Sequence, residues 1–465
     1  MAFGRVLQRF VDVAPVCVMA RLAMGRALGA DALDELFRGT AARQYERELL
    51  FSGVVGLMVQ VACGARRSIH EAYQHAADPP AVSLASVYNK VNGVEPGVSA
   101  ALVRHTAGAV GPLVRRMRQD RPGPLPGYAV RIVDGDHLAG TEHRIAELRT
   151  TRSAALPGQA LAVLDPAARL ILDVVPCENA HTQERALVDH LFGSMGAGQV
   201  WVADRNVCTT RMLFGAIRAG AYFVIRQHAS TLHWRELGPF RPRGRADTGR
   251  VSEQEVEIAD PLAGERLTIR RVRLELDEPT EDGETEILLL TNLPAEGEGA
   301  VSARQVAEAY RGRWRIEHAF HDLAVALRGE VVTLGYPRAA LFAFAVAAAA
   351  YNLVALVLAA LGAVHGRDKV EAGVSTYHLA REWATTYEGM AIAVGPRTWA
   401  EYPALDDRAF VAVLTELAAA ADLRKYRKAR RGPKKKRPRK TSGSRIHHVA
   451  TAKLLEGRKV AKTAP

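Results

Sequence analysis

One stretch limits what this 465-residue chain can fold into more than any other. Ala339 to Val364, AALFAFAVAAAAYNLVALVLAALGAV, runs for 26 residues with Asn352 as its one polar side chain. Such a segment is either a helix crossing a bilayer or a helix enclosed by protein on every side. Its many alanines give weak insertion energy and no second span accompanies it, so the expectation is a buried helix, without a membrane. The chain can supply the enclosure. With 48% hydrophobic and 24% charged residues it has the composition of a globular protein, which excludes a mostly disordered chain.

Charge is unevenly spread. The formal net charge is +12, yet residues 424–465 carry 17 Lys/Arg against Glu456 alone, which leaves the rest of the chain at −4. A near-neutral body with a cationic tail seeks polyanions, nucleic acid before an anionic membrane surface. Cys17, Cys63, Cys177 and Cys208 are far apart in sequence and form no C-x-x-C pair, which argues against a disulfide framework or structural zinc and for a reducing compartment. Arginines scattered through the apolar stretch MAFGRVLQRFVDVAPVCVMARLAMG argue against a signal peptide.

Along the chain, residues 1–120 read as helical. Ser83 is the expected N-cap for LASVYNKVN, Gly93 its stop, and a second helix is expected from Val98. This helix-turn-helix pattern is either a DNA-binding pair or a plain packing pair. Arg115, Arg116, Arg118 and Arg121 follow, and RPGPLPG (121–127) reads as a linker. Beyond it the pattern turns to α/β. Strands are expected at 128–134, 159–165, 169–175, 199–204 and 221–227, with helices at 181–195 and 209–220. That order predicts a mixed sheet with helices on its faces over 128–228. Residues 229–300 read as an inserted antiparallel β subdomain with strands in VSEQEVEIAD, RLTIRRVRLEL and TEILLLTNL. One helix is expected from Ser302 to about Leu327, within a segment 301–364 that ends in the apolar helix. A C-terminal helical region covers 365–423, and the tail 424–465 reads as basic and disordered.

Three carboxylates carry the chemistry. Asp134 (IVDGDH) and Asp204 (VWVADRN) each follow an apolar run and are expected to end buried strands at one sheet edge. Glu317 lies in YRGRWRIEHAFHDL, where Tyr310, Arg313, Glu317 and His321 share one helical face. Asp136 is a rival to Asp134 for the first position. Carboxylates converging from two strands and a helix suit hard divalent cations, whose charge offsets the mutual repulsion.

DGDH, VADRN and Y-x-x-R-x-x-x-E, in this order, resemble bacterial insertion-sequence transposases of the DDE type. The branch resembled has a Tyr-Arg-Glu-Lys signature and a β insertion before its catalytic helix. The resemblance spans about residues 50–360, including VSLASVYNKVNGVEPGVSAALVRH. It implies a ribonuclease-H-like catalytic domain with Asp134, Asp204 and Glu317 as catalytic, metal-binding triad and Mg²⁺ (or Mn²⁺) as cofactor. It also implies Tyr310 and Arg313 on DNA phosphates, and a homodimer holding double-stranded DNA at transposon ends and target. The implied reaction is cleavage at the ends, commonly through a DNA hairpin, and joining to target DNA, in the bacterial cytoplasm at the nucleoid. One position departs: Ala324 stands where the signature has its Lys. A metal-dependent nuclease that does not join, and a repressor that binds DNA without catalysis, are the alternatives.

Outside the triad, RKYRKARRGPKKKRPRK (424–440), centred on Lys434, Lys435 and Lys436, can neutralise several phosphates, and Pro433 and Pro438 argue against a continuous helix there. Arg205 and Arg226 are expected to face the substrate. Trp234, followed by Arg235, Arg241, Arg243, Arg245 and Arg250, would either stack on an unpaired base or pack. Zinc at His318 and His321 is disfavoured, because the pair has no cysteine partner.

Overall fold

The computed structural model describes residues 3–463 except 45–47, 77–80, 119–122, 139–144, 149–154, 229, 231, 261–262, 281, 332 and 430–448, with side chains to 457. Seven helices lead: α1 Arg5–Val13, α2 Pro15–Ala27, α3 Ala30–Thr40, α4 Phe51–Ala62, α5 Ile69–Gln74, α6 Leu84–Gly93 and α7 Pro96–Met117. The strands β1 Ala129–Leu138, β2 Ala155–Leu156, β3 Gly158–Asp165, β4 Leu170–Cys177 and β5 Gln199–Ala203 follow. Then come α8 Thr210–Arg218, β6 Tyr222–Arg226, β7 Trp234–Glu236, β8 Arg241–Ala246, β9 Gly249–Ala259, β10 Arg266–Leu276 and β11 Glu286–Thr291. Helices α9 Ala303–Arg311, α10 Trp314–Val325, α11 Pro337–His365, α12 Arg367–Gly373, α13 Thr376–Ala393, α14 Pro396–Ala400 and α15 Asp407–Ala419 lead to β12 Val449–Ala450 and α16 Thr451–Thr463.

The apolar run is α11. It is long and apolar enough to cross a membrane, and its most apolar stretch is wholly buried inside the protein. Helices α2, α4, α7 and α15 and strand β4 pack around it. Alanines let these neighbours approach closely, while Phe342 and Phe344 fill the gaps, each fully buried ring being worth about 1.5–3 kcal/mol.

Among the described residues ten strands form one sheet in the order β4-β3-β1-β5-β6-β11-β10-β9-β7, with β8 on β9. The first three long strands, β1, β3 and β4, are antiparallel neighbours, and β5 and β6 run parallel to β1. This is the mixed α/β arrangement expected from the sequence for this part of the chain. Side chains alternate along β1: Val130 and Ile132 face the α11 core, while Val133 faces a second core that includes Met212, Leu213 and Phe223.

Several expectations change in detail. The segment 229–300 is antiparallel but is no separate sheet: β11 pairs with β6 (Leu290↔Ile225), so the insertion satisfies what would be an open edge of the sheet. Residues 181–195 form two 3-10 segments, Glu184–Ala186 and Val188–Ser194, instead of a helix. Their start is held by the Gln159 amide, which donates to the Asn179 and Thr182 carbonyls, and Val188 and Leu191 anchor them in the second core. Ser83 does cap α6, but α7 begins at Pro96 and is a packing helix, with Leu102, Val103, Val110 and Leu113 wholly buried.

The helix expected over 302–327 is two, α9 and α10, parted at Gly312. Ser302 opens α9 through a reciprocal capping box with Gln305. The tail is not disordered throughout. Tyr426 is buried with its hydroxyl on Glu382 (2.6 Å), and β12 pairs with β2 in parallel (Val449↔Ala155) because Leu454 of α16 finds apolar cover at Ile145 and Leu148.

Candidate active site

Parallel pairing of β1 with β5 ends at Val133↔Ala203. The next residues are Asp134 and Asp204, so two carboxylates follow side by side where the strands part. Asp134 does not end its strand, as the sequence suggested; β1 continues to Leu138 because β3 still pairs with it (Asp134↔Ala162).

Glu317 comes from the first turn of α10. Arg313, just before that helix, donates to Asp134 Oδ2 (2.5 Å) and to Glu317 Oε1 (3.1 Å), bridging strand and helix. Tyr310 at the end of α9 donates its hydroxyl to Asp204 Oδ1 (3.0 Å). The break at Gly312 keeps helical dihedrals, φ −61° and ψ −14°, so the Tyr310–Arg313–Glu317 face survives across two helices. His321, on the same stripe, is exposed.

Beyond Asp204, Arg226 reaches Asp204 Oδ1 at 4.0 Å and Glu284 Oε2 at 2.5 Å, and Arg205 reaches Glu284 Oε1 at 3.0 Å. Glu284 carries no signal in the sequence. It belongs to the β10–β11 turn, where an acid is unremarkable. Two more acids were missed. Glu184 lies against Gly135, where a Cβ would come 2.6 Å from its Oε1, so the glycine between the two aspartates makes room for a carboxylate. Glu330 faces Asp136 electrostatically.

This acidity shows in the titration. Burial pushes Asp134 up to about 6; Arg313 pulls it down, while Glu184 and Asp204 push it further up. Burial, with Glu330 and Asp134, pushes Asp136 up to about 7. Burial and the Asp204 charge raise the Tyr310 phenol, which keeps it a proton donor. Burial disfavours the Arg313 charge, but Asp134, Tyr310, Asp204 and Glu317 together outweigh it and hold the guanidinium protonated. Among the described residues no three His, Cys, Asp or Glu side chains form a group that could hold a metal ion.

Of the expected DNA contacts, Tyr310, Arg313, Arg205 and Arg226 gather at the carboxylates. Trp234 packs partly against the second core under the Arg271 guanidinium, 4.9 Å from its ring centre. Neighbouring arginines are engaged by acids: Arg235 with Glu257, Arg243 with Glu253, Arg245 with Asp277 and Arg250 with Glu275. Lys434, Lys435 and Lys436 lie outside the described residues.

No curated protein matches the chain. A solved structure, the cryo-EM piggyBac transposase synaptic complex with hairpin DNA, is similar over 84% of this chain and 84% of that one, at 11% identity and a TM-score of 0.39. Residues 125–353, which contain Asp134, Asp204, Tyr310, Arg313 and Glu317, match the family described as the transposase DDE domain, and this match supports a DDE transposase.

Proposed function

We propose that the chain is a DNA transposase that cleaves double-stranded DNA at the ends of an insertion sequence and joins those ends to target DNA. The observation that carries this reading is the meeting of Asp134, Asp204 and Glu317 at one sheet edge, bound together by Tyr310 and Arg313. Asp134 is buried beside one guanidinium and two acids, and burial above all raises it to about 6. Asp134, Asp204 and Glu317 do not form a ready-made metal group as they stand, but their all-oxygen chemistry suits a hard divalent cation, Mg²⁺ or Mn²⁺, which these three carboxylates would have to draw together to hold. When bound, such ions stabilise charge at the attacking and leaving oxygens of a phosphoryl transfer.

The chain's own groups do the positioning. Tyr310 orients Asp204 through its hydroxyl, and Arg313 fixes α10 against β1. Arg226 and Arg205 stand beside Asp204 and are held by Glu284, with which a DNA phosphate would compete for them. The nucleophile is water first and then a DNA 3′-hydroxyl. The working unit is a homodimer on DNA, in the bacterial cytoplasm at the nucleoid.

The test is incubation with Mg²⁺ or Mn²⁺ and a plasmid carrying the coding region with its native flanks. Excised and joined products are expected from the wild type, with none from Asp134→Asn, Asp204→Asn or Glu317→Gln. Cutting without joining would leave a nuclease. End binding with no cutting in either metal would leave a repressor, the reading that Ala324 favours.

A further inference from the structure

Four guanidinium groups meet near the start of β1. Arg115 lies in the last turn of α7, Arg118 caps that helix, Arg131 is on β1 and Arg367 opens α12. Together with the first residues of β1 and the turn between β3 and β4 they line a cavity of about 500 Å³. Val130, on its wall, is four strand residues from Asp134, so the cavity lies roughly 13 Å from the first carboxylate of the candidate active site.

Among the described residues two carboxylates pair with these four groups. Asp165 takes Arg131 at 3.0 Å, and its other oxygen accepts from the Ala167 and Ala168 N–H groups. Glu371, which does not line the cavity, is shared between Arg118 at 3.3 Å and Arg367 at 2.9 Å. No carboxylate among the described residues pairs with Arg115, which leaves the wall with positive charge in excess. The Arg118 side chain is 7% exposed, yet it lines the cavity, and its Nε is buried without a hydrogen-bond partner. A cation near a helix C-terminus gains from the helix dipole, which accounts for the exposed Arg115 and Arg116. It does not account for buried Arg118, whose guanidinium donates to the Ala167 carbonyl at 3.0 Å while Arg367 donates to the same oxygen at 3.4 Å. One carbonyl thus holds two guanidinium groups side by side against their repulsion. Burial and the Arg367 and Arg169 charges push Arg118 down to about 10, against the pull of Glu371. An oxyanion would offset that crowding and offer acceptors to the guanidinium donors. Phosphate suits the wall better than a carboxylate, because it brings more acceptor oxygens and up to two charges to forks already held in place.

We propose that this cavity is a phosphate-binding site, filled either by a backbone phosphate of bound DNA or by a free phosphate ion. The first arm of the test, independent of the DNA reading, is calorimetric titration of the full chain with inorganic phosphate at constant ionic strength. Wild type is expected to bind, and Arg115→Gln to bind about tenfold more weakly, as loss of a charge-assisted hydrogen bond implies. Arg115→Lys should recover part of the affinity. Arg116→Gln, on an exposed neighbour outside the cavity, should match wild type. Arg115 is itself exposed, and melting curves report whether the fold is kept. The second arm, which rests on the DNA reading, is binding of a short duplex of arbitrary sequence across a KCl series. A log–log salt slope shallower by about 0.9 in Arg115→Gln but not in Arg116→Gln assigns the site to a backbone phosphate. Weakened phosphate binding with an unchanged slope assigns it to the free ion. Neither effect, or equal losses in Arg115→Gln and Arg116→Gln, overturns the proposal and leaves the DNA reading standing. A wild type that binds no duplex overturns the DNA reading, and the titration alone then decides the cavity.

Discussion

The side-chain amide of Asn352 satisfies both backbone groups of Ile171. Its oxygen accepts from the Ile171 N–H at 2.8 Å and its nitrogen donates to the Ile171 carbonyl at 2.9 Å. Ile171 lies on β4, the outermost strand, so one polar residue in a buried apolar helix completes the sheet edge as a neighbouring strand would. Asn352→Leu would leave two buried backbone groups unpaired and is expected to lower stability by about 2–4 kcal/mol, read as a drop in urea midpoint. A change below about 0.5 kcal/mol would show that the amide does not hold the edge.

Arg313 ties Asp134 to Glu317. Arg313→Gln keeps a donor but removes the charge. Cleavage of flanked plasmid should fall on the order of 10²-fold while duplex binding changes little. If binding and cleavage fell together, Arg313 would be holding DNA and not ordering the carboxylates.

Stability should depend on pH in a defined direction. Asp134 and Asp136 are raised from 3.8 to about 6 and about 7, so between those limits the folded state holds more protons than the unfolded one. Their contribution is therefore present below pH 3.8 and is lost as pH rises through 6 to 7, at about 1.4 kcal/mol per pH unit for each carboxyl. In chelator, the unfolding midpoint of Asp134→Asn and Asp136→Asn should decline less over this window than that of the wild type. Identical slopes would remove both groups from the account.

Gly135→Ala would drive a methyl group to 2.6 Å from Glu184 Oε1. The strand conformation suits alanine, so any effect comes from displacing Glu184. The expected outcome is a stability decrease of about 1–3 kcal/mol with reduced cleavage, and Glu184→Ala in the same chain should restore part of the stability.

Ala324 is exposed seven residues after Glu317. Ala324→Lys would place a cation there, and duplex binding should show a salt slope steeper by about 0.9. An unchanged slope would mean that DNA does not pass this end of α10.

Sequence patterning anticipated the central strands well, because apolar runs of strand length marked β1, β3, β4, β5 and β6. Asp134 and Asp204 could be read because each follows such a run. The rest depended on tertiary contacts. Glu184, Glu284 and Glu330 arrive from turns and short helical segments whose composition is ordinary, and only folding brings them to Asp134, Arg226 and Asp136. The periodicity across Gly312 looked like one helix because the break preserves the helical face. The 181–195 segment has helically spaced apolar residues, yet Gln159 and the second core draw it into tighter turns.

Arg26 of α2 donates to the carbonyls of Pro403 and Leu405 and to Asp407, while α13 and α15 both rest on α2. The first and last helical regions are thus stitched together around α11. A nonsense codon soon after α11 would strip cover from an alanine-rich rod, and the shortened polypeptide would aggregate in the cell; it could not persist as a soluble competitor of intact copies.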